Sequence, residues 1–143
     1  MNNIQVGFIP SDKINLIWEQ VSPLLQTVID RPQYGYDIDY IKELLNTGKS
    51  WLVCAFEENI IIACFVCKQI DYPHRKVLYV SMGAGEPAIK WKMPVVDFMK
   101  QGARNIGASH IEWHGRKGLE KLFADVAQFQ HVAMIIPIGE ENG

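Results

Sequence analysis

The sequence lacks clusters of basic residues, long apolar runs and low-complexity tracts. Its 143 residues include 14 Lys and Arg against 16 Asp and Glu, which gives a formal net charge of -2. Proteins that bind a phosphate backbone usually carry a basic patch that is visible in the sequence, so we expect no nucleic-acid partner. The apolar runs are shorter than the about 20 residues of a membrane-spanning helix, and Met1–Asn3 precede a strand-like segment rather than a basic leader. We therefore expect no membrane partner and a cytoplasmic location.

Cysteine is also scarce. The chain has three cysteines, Cys54, Cys64 and Cys67, and each lies in an apolar segment. An odd number of cysteines in such segments indicates buried, reduced thiols rather than a disulfide framework. Cys64 and Cys67 form a CxxC pattern, but residues three apart on an extended strand face opposite ways, and a working CxxC motif normally opens a helix. We expect neither a redox pair nor a metal site from these thiols.

Length and composition predict one domain over residues 1–143. Of these residues 48% are hydrophobic, which is enough for one core, and neither an internal repeat nor a linker is visible. Alternating or β-branched apolar segments predict six strands: Ile4–Ile9, Trp51–Glu57, Ile60–Ile70, Val77–Ser81, His110–His114 and Val132–Ile138. Helical spacing predicts four helices: one from near Lys13 to Val28, Ile38–Asn46, one from Ala88 or Ile89 to near Gly107, and Leu119–Phe129.

Several local signals refine these boundaries. Ser11 or Asp12 can cap the first helix, and Pro23 is expected to kink or split it because proline lacks an N–H. Asp37 is a suitable N-cap for the second helix, and Gly48 a suitable stop. Glu58-Asn59 and the segment Asp71–Arg75 predict two tight turns, which make the middle three strands a meander. The third helix is expected to bury one apolar stripe, namely Ile89, Met93, Val96, Phe98, Met99 and Ala103.

The stretch Lys76–Asp97 is the best candidate for a ligand site. It is expected to form a central strand, a tight turn at Gly83-Ala84-Gly85, and a helix. The free N–H groups and the positive end of such a helix point back over the turn, and this arrangement binds phosphate. A glycine turn that only joins a strand to a helix explains the same residues, so both interpretations stand.

His110, Glu112 and His114 alternate with Ile111 and Trp113, and therefore share one face of their strand. A carboxylate or imidazole there could remove a proton from an amine, with Tyr79 as a neighbour on the adjacent strand. A solvated sheet face accounts for the same alternation. We predict no metal site, because the short strand offers no second shell.

Tryptophans could mark a binding surface. Trp18, Trp51 and Trp113 stand at inward positions, so core packing is expected for them. Trp91, between Lys90 and Lys92, either stacks on an adenine or shields the end of the third helix, and we favour the second.

The order of the elements resembles the fold of the GCN5-related N-acetyltransferases, the GNAT family, over essentially the whole chain. The local likeness is best from Val77 to Phe129, where Gln128-Phe129 takes the place of a Gly-Phe pair that ends the family's last helix. The resemblance implies an α/β (α+β) fold with a mixed, mainly antiparallel sheet. Gly115–Leu122 is also similar to part of small bacteriophage proteins with a GNAT-like fold, which implies host cytoplasm or a virion as the location.

The resemblance further implies a site for an acyl-CoA, such as acetyl-CoA, where the fourth strand bulges and splays from the fifth. The residues mapped onto this site are Ser81, Met82, Gly83, Ala84, Gly85, Ala88, Ile89 and Lys90. The family's loop signature falls on Gly85, Ala88 and Lys90, of which none matches well, although Lys90 could supply a positive charge. The tyrosine that donates a proton to the leaving thiolate falls at Phe123 or Ala124, which have no donor.

Three functions are compatible with these observations. The first is an N-acyltransferase that moves an acetyl or acyl group from acyl-CoA to an unidentified amine, with Glu112, His114 and Tyr79 as catalytic candidates. The second is an inactive GNAT-like protein with a binding or structural role, for example in phage assembly, and the third is a sensor that keeps the thioester pocket. Because of the departures in the loop, we expect weak binding and slow or absent turnover. An edge strand at His131–Ile138 offers a surface for a homodimer.

Overall fold

The computed structural model describes residues 3–30, 35–115, 119–128 and 136–139. The five strands of this part of the chain are β1 (Ile4–Ile9), β2 (Trp51–Glu57), β3 (Ile60–Tyr72), β4 (Arg75–Gly85) and β5 (His110–Trp113). The four α-helices are α1 (Ile14–Ile29), α2 (Ile38–Asn46), α3 (Lys92–Asn105) and α4 (Leu119–Leu122), and a 3-10 turn at Ser11–Lys13 precedes α1.

The strands form one sheet in sequential order from β1 to β5. Neighbouring strands are antiparallel except for β4 and β5, which run parallel and pair from Val77 with His110 to Val80 with Trp113. Parallel neighbours need a crossover, and α3 supplies it. The predicted fold class, a mixed and mainly antiparallel sheet with helices, is confirmed, as is the parallel pairing of the two strands that α3 links.

The core lies in two layers, one on each face of the sheet. On the first face, α1 and α2 pack against alternating residues of β2, β3 and β4, namely Leu52, Cys54, Cys64, Val66, Met82 and Ala84. On the second face, α3 and α4 cover a different set of sheet residues, namely Val53, Ala55, Phe65, Cys67, Leu78, Val80, Ile111 and Trp113. Cys64 and Cys67 therefore face opposite layers, as the sequence predicts.

A β-bulge interrupts β4 at Ser81. Val66 pairs with Met82 while the next residue of β3, Cys67, pairs with Val80, so Ser81 is the extra residue of β4. Its hydroxyl donates to the carbonyl of Val66 at 3.1 Å. A bulge bends its strand and increases its local twist, and this one stands where β4 begins to extend beyond β5.

Several local predictions are confirmed. The bounds of α2 are those predicted, and the carboxylate of Asp37 caps it by accepting from the N–H of Tyr40 at 2.7 Å. Gly48 follows α2 with a φ of 78°, and the hairpin between β2 and β3 turns at Glu58 and Asn59, both with positive φ.

Other local predictions are wrong. Of the two outcomes expected at Pro23, the split does not occur, since α1 runs unbroken from Ile14 to Ile29 and buries Val21, Leu25 and Val28. Neither Ser11 nor Asp12 caps α1, since a 3-10 turn precedes it without a side-chain cap.

The end of the chain also differs from the prediction. α4 spans four residues, and Phe123–Val126 form turns, so the helix Leu119–Phe129 is shorter than predicted. Phe129, Arg116–Gly118 and most of the predicted strand Val132–Ile138 lie outside the described residues. Residues 136–138 of that strand are described and belong to no strand.

Candidate active site

The predicted glycine turn is the end of strand β4. Gly83, Ala84 and Gly85 pair with residues of β3, so the predicted tight turn at these three residues is wrong. The reason is the length of β3, which offers partners along the whole of β4. A Cβ at Gly83 would lie 2.7 Å from the Phe65 ring, and one at Gly85 would lie 2.2 Å from the carbonyl oxygen of Ile62. These glycines therefore make room first for β3.

The helix after β4 begins later than predicted. Residues 88–91 form a turn, in which the amides of Trp91 and Lys92 both donate to the carbonyl of Ala88, and α3 starts at Lys92 and not at Ala88 or Ile89. The buried stripe shifts accordingly to Val95, Val96, Met99 and Ala103. Ile89 is 81% exposed and Met93 46% exposed, so both were wrongly placed on the inner face. Pro94 lies in the first turn of α3, where proline is tolerated.

Strand β4 extends beyond the end of its neighbour β5. The pairing of the two ends where Val80 meets Trp113, and the N–H of His114 donates to the carbonyl of Val80 at 3.1 Å. Beyond this point, Glu86 donates its N–H to Ile62 of β3. Backbone N–H and C=O groups point to alternate sides along an antiparallel strand. Since Glu86 points its N–H toward β3, Gly83 and Gly85 point their N–H and C=O groups away from β3, to the side where pairing with β5 has ended. Among the described residues, no strand pairs with this side of β4 beyond Val80, and we call this side, with the main-chain groups of Gly83 and Gly85, the notch.

Four aromatic rings pack next to this notch on the second face of the sheet. Trp91 stacks parallel to Trp113 at 6.1 Å between centroids, Phe65 meets both rings edge-on, and Phe123 leans against both tryptophans. Trp91 is only 6% exposed, and its Nε1 donates to the carbonyl of Glu86 at 2.9 Å. Unlike the other three tryptophans, Trp91 was not expected to pack in the core. It is nevertheless a core residue, and its hydrogen bond to Glu86 fixes the turn before α3. Its burial favours the shielding role over stacking on an adenine.

The charges of the turn differ from those expected. The Nζ of Lys90 lies 2.9 Å from the Oε1 of Glu86 and 3.7 Å from the Oε1 of Glu57. The hydrogen bond to Glu86, with the charges of Glu86 and Glu57, raises the pKa of Lys90. Lys90 is therefore not a spare positive charge, and the three side chains together carry a net charge of about -1 at neutral pH.

A polar row crosses the first face of the sheet. Lys68, Tyr79 and Glu112 are neighbours in register on β3, β4 and β5. The Nζ of Lys68 lies 5.6 Å from the centre of the Tyr79 ring, and the hydroxyl of Tyr72 donates to Glu112 at 2.7 Å. This hydrogen bond raises the pKa of Tyr72.

Tyr79 and His114 are in direct contact. The Tyr79 hydroxyl lies 3.2 Å from the Nδ1 of His114, and the two rings meet edge-on at 4.8 Å. The predicted neighbourhood of Tyr79 with Glu112 and His114 is thus present. His110, by contrast, is held by the hydroxyl of Ser109 at 2.8 Å and lies four residues before His114, at the start of β5.

A cleft of about 190 Å³ opens on the same face as Tyr79. Helix α2 and the segment before it form one wall, and the bulged part of β4 with its β3 partner forms the floor. The residues lining this cleft are Tyr36, Tyr40, Ile41, Leu44, Lys49, Ser50, Val66, Lys68, Tyr79, Ser81 and Met82. We call it the tyrosine–lysine cleft.

Sequence reasoning missed most of this cleft. Tyr36, Tyr40, Lys49 and Lys68 are far apart in the sequence, and only the packing of α2 on the sheet and the register of β3 with β4 bring them together. The Asp37 cap does place Tyr36 just before α2 and Tyr40 in its first turn. The four-residue spacing of Tyr36 and Tyr40 around this cap was the sequence signal that could have predicted their stacked rings, whose centroids lie 5.6 Å apart.

The described residues contain no group of three His, Cys, Asp or Glu side chains that could hold a metal ion. None of the helices in the described part of the chain combines the length and the apolar character that crossing a bilayer requires.

No protein-family model and no curated protein sequence matches this chain. Solved structures do match it. An aminoglycoside acetyltransferase from an uncultured soil metagenomic sample has a TM-score of 0.69 at 14% identity, covering 95% of this chain and 97% of its own. A GCN5-related N-acetyltransferase from Ralstonia eutropha JMP134 has a TM-score of 0.64 at 14% identity, covering 95% and 99%. A predicted acetyltransferase with acetyl-CoA from Clostridium acetobutylicum has a TM-score of 0.63 at 18% identity, covering 95% and 96%.

These structural neighbours are acetyltransferases, and the fold of the chain is theirs. At identities of 14 to 18%, the likeness establishes the fold alone. The likeness to bacteriophage proteins has no support among them.

Proposed function

We propose that residues 1–143 form one N-acyltransferase domain, which transfers an acyl group from acyl-CoA to an amine. The observation that carries this proposal is the notch beside β4, which lies next to the Tyr79–His114 pair and the tyrosine–lysine cleft. A thioester could thus lie in the notch and an amine in the cleft, with a proton-accepting pair between them.

The walls of the notch suit the amide-rich arm of acyl-CoA. This arm needs main-chain partners, and β4 offers those of Gly83 and Gly85 beyond the last pair with β5. The bulge at Ser81 tilts this part of the strand away from β5. We assign the residues from Ser81 to Gly85 to the arm, and Ala88, Ile89 and Lys90 to the phosphate end.

The phosphate end fits less well. Glu86 and Glu57 take up the charge of Lys90, and α3 starts beyond the turn. A pyrophosphate brought to this turn meets a local charge of its own sign, which costs affinity. We therefore retain the expectation of weak binding.

The Tyr79–His114 pair is suited to move the proton of the reaction. As the amine attacks the thioester carbonyl, its proton passes to the Tyr79 oxygen while Tyr79 gives its own proton to the Nδ1 of His114, which must be the unprotonated ring nitrogen. When the C–S bond breaks, the same pair returns a proton to the leaving thiolate.

The test has a binding step and a turnover step. Acetyl-CoA at about a hundred times its dissociation constant should raise the free energy of unfolding by about 2.7 kcal/mol. Release of free CoA thiol in the presence of amines then measures transfer. His114→Gln and Tyr79→Phe should leave that stabilisation unchanged and reduce kcat by about 100-fold, whereas His110→Gln should leave both unchanged. Equal effects of His114→Gln and His110→Gln would contradict the assignment.

A second candidate function is ligand binding without transfer. The absence of a donor at Phe123 and Ala124, together with the acidic charge of the turn, favours it. Stabilisation by acetyl-CoA without thiol release from any amine would establish this second function, and no stabilisation at millimolar acetyl-CoA would contradict both.

A further inference from the structure

We infer that the tyrosine–lysine cleft binds a small amine that carries a carboxylate or phosphate group. The inference rests on the proposed function for the chemistry of the amine, and on the cleft itself for the anion. Among the described residues that line it, Lys49 and Lys68 are the charged ones, and no carboxylate is present. The three ion pairs of the described residues involve neither lysine.

The two lysines stand on different walls. Lys49 follows α2 in the loop that leads to β2, whereas Lys68 projects from β3. The Lys68 ammonium is held 5.6 Å from the centre of the Tyr79 ring, which steadies a long flexible side chain. A negative group between the walls can meet both ammonium groups, in a cleft with no opposing negative charge among its described lining residues.

The remaining lining limits the ligand. The volume of about 190 Å³ limits the cleft to a small molecule. Tyr36 and Tyr40 stand with stacked rings, and both are nearly half exposed. Such rings can cover an apolar or planar part of a ligand.

Orientation follows from the position of Tyr79 and Ser81 on the floor. These two residues lie at the bulge, where the notch for the thioester begins. An anionic group held by Lys49 and Lys68 leaves the amine to point along the floor toward the Tyr79 hydroxyl. The same charges disfavour an aminoglycoside, which carries several amino groups and no acid, although one structural neighbour is named as an enzyme for that class.

The test measures binding without an acyl donor, so that it does not depend on transfer. Two probe pairs differ in the negative group alone: phosphoethanolamine against ethanolamine, and L-phenylalanine against L-phenylalaninamide. Calorimetry should show binding of at least one acidic member and at least about tenfold weaker binding of its uncharged partner, since each well-placed charged contact accounts for about a factor of ten. Raising the salt concentration from about 0.05 M to about 0.5 M should weaken the acidic member's binding.

Variants locate the contact. Lys49→Gln with Lys68→Gln should abolish the preference for the acidic probe, while Lys100→Gln, an exposed position on α3 across the sheet, should retain it. Circular dichroism would confirm that the double variant folds. Equal affinity for both members of each pair, tighter binding of an aminoglycoside, or an unchanged preference in the double variant would each overturn the inference. Binding of an acidic amine without acetyl transfer would keep the inference and contradict the transferase.

Discussion

At the scale of single residues, Gly85 shows that packing against β3 is by itself enough to require a glycine. Its φ of 139° lies where side chains are strained, and a Cβ would lie 2.2 Å from the carbonyl oxygen of Ile62 and 2.5 Å from the Cα of Ala63. The sequence interpretation reserved this glycine for a ligand. A bulky substitution such as Gly85→Val would therefore disturb β3 and is not a clean test of binding.

The corresponding prediction is that Gly85→Ala lowers the free energy of unfolding by at least about 2 kcal/mol, from backbone strain and contact with β3. Gly7→Ala is the matched control, because a Cβ there meets nothing within 4 Å. Urea unfolding measures both. A loss in Gly85→Ala no larger than that in Gly7→Ala would show that β3 yields to the methyl group.

The cysteines give a second prediction at this scale. Burial raises the pKa of Cys54 and Cys67 to about 12, and burial with the charge of Cys54 raises that of Cys64. In the unfolded chain these thiols titrate near 9.0. The folded state thus holds its protons more tightly, so stability is fully present below pH 9 and falls as pH rises toward 12.

The expected slope is about 1.4 kcal/mol per pH unit for each thiol. Cys67→Ala should reduce the total slope by about one-third, because three thiols contribute. Urea unfolding at several alkaline pH values measures this. Rapid labelling of the native thiols at neutral pH would contradict the burial on which the argument depends.

At the scale of elements, Lys92 of α3 makes polar contacts with α4 and with the turn that follows it. The Nζ of Lys92 donates to the carbonyl of Leu122 at 2.7 Å and pairs with the carboxylate of Asp125. The hydrogen bond from Lys92 lowers the pKa of Asp125. This contribution to stability is therefore present above the unfolded pKa of the carboxyl and is lost as pH falls through its folded value.

We predict that Lys92→Met increases amide hydrogen exchange in residues 119–128, while exchange in the sheet is unchanged. Lys100→Met is the control, since it removes the same charge from an exposed position of α3. Faster exchange throughout the sheet would show that Lys92 supports the whole fold. Unchanged exchange in residues 119–128 would show that Phe123 alone, buried against the tryptophans, holds the segment.

The same scale shows how far the sequence determines the fold. The bounds of β1, β2 and α2 follow from local signals, because each is delimited by a proline, a capping aspartate or a turn-forming pair. The end of β4 could not be predicted locally. Gly83 and Gly85 are turn residues by propensity, and pairing with β3 makes them strand residues.

In the candidate site, too, some contacts could be predicted from the sequence and others depend on tertiary packing. The neighbourhood of Tyr79 and Glu112 was predictable, because parallel strands joined by a crossover place their residues side by side. The tyrosine–lysine cleft and the Lys90 ion pairs were not, because both depend on how α2 and β2 pack around β3 and β4.

At the scale of the whole molecule, the turn after β4 carries a charge that is unfavourable for the proposed thioester site. Glu57 from β2, Glu86 from the end of β4 and Lys90 from the turn meet there. The two glutamates outweigh the lysine, so the local charge at this turn is negative. The formal net charge of the whole chain, -2, has the same sign.

The final prediction is that Glu86→Gln tightens the binding of acetyl-CoA about fivefold, since it removes one negative charge and frees Lys90 from its nearer partner. Lys90→Glu should weaken binding by repulsion. Glu19→Gln, which changes the net charge equally on α1, should have no effect. Calorimetry at low and high salt distinguishes these outcomes, because the gain must diminish with screening. If Glu86→Gln binds acetyl-CoA no better than the unmodified chain, the phosphates do not lie at this turn, and the thioester must enter the notch from another side.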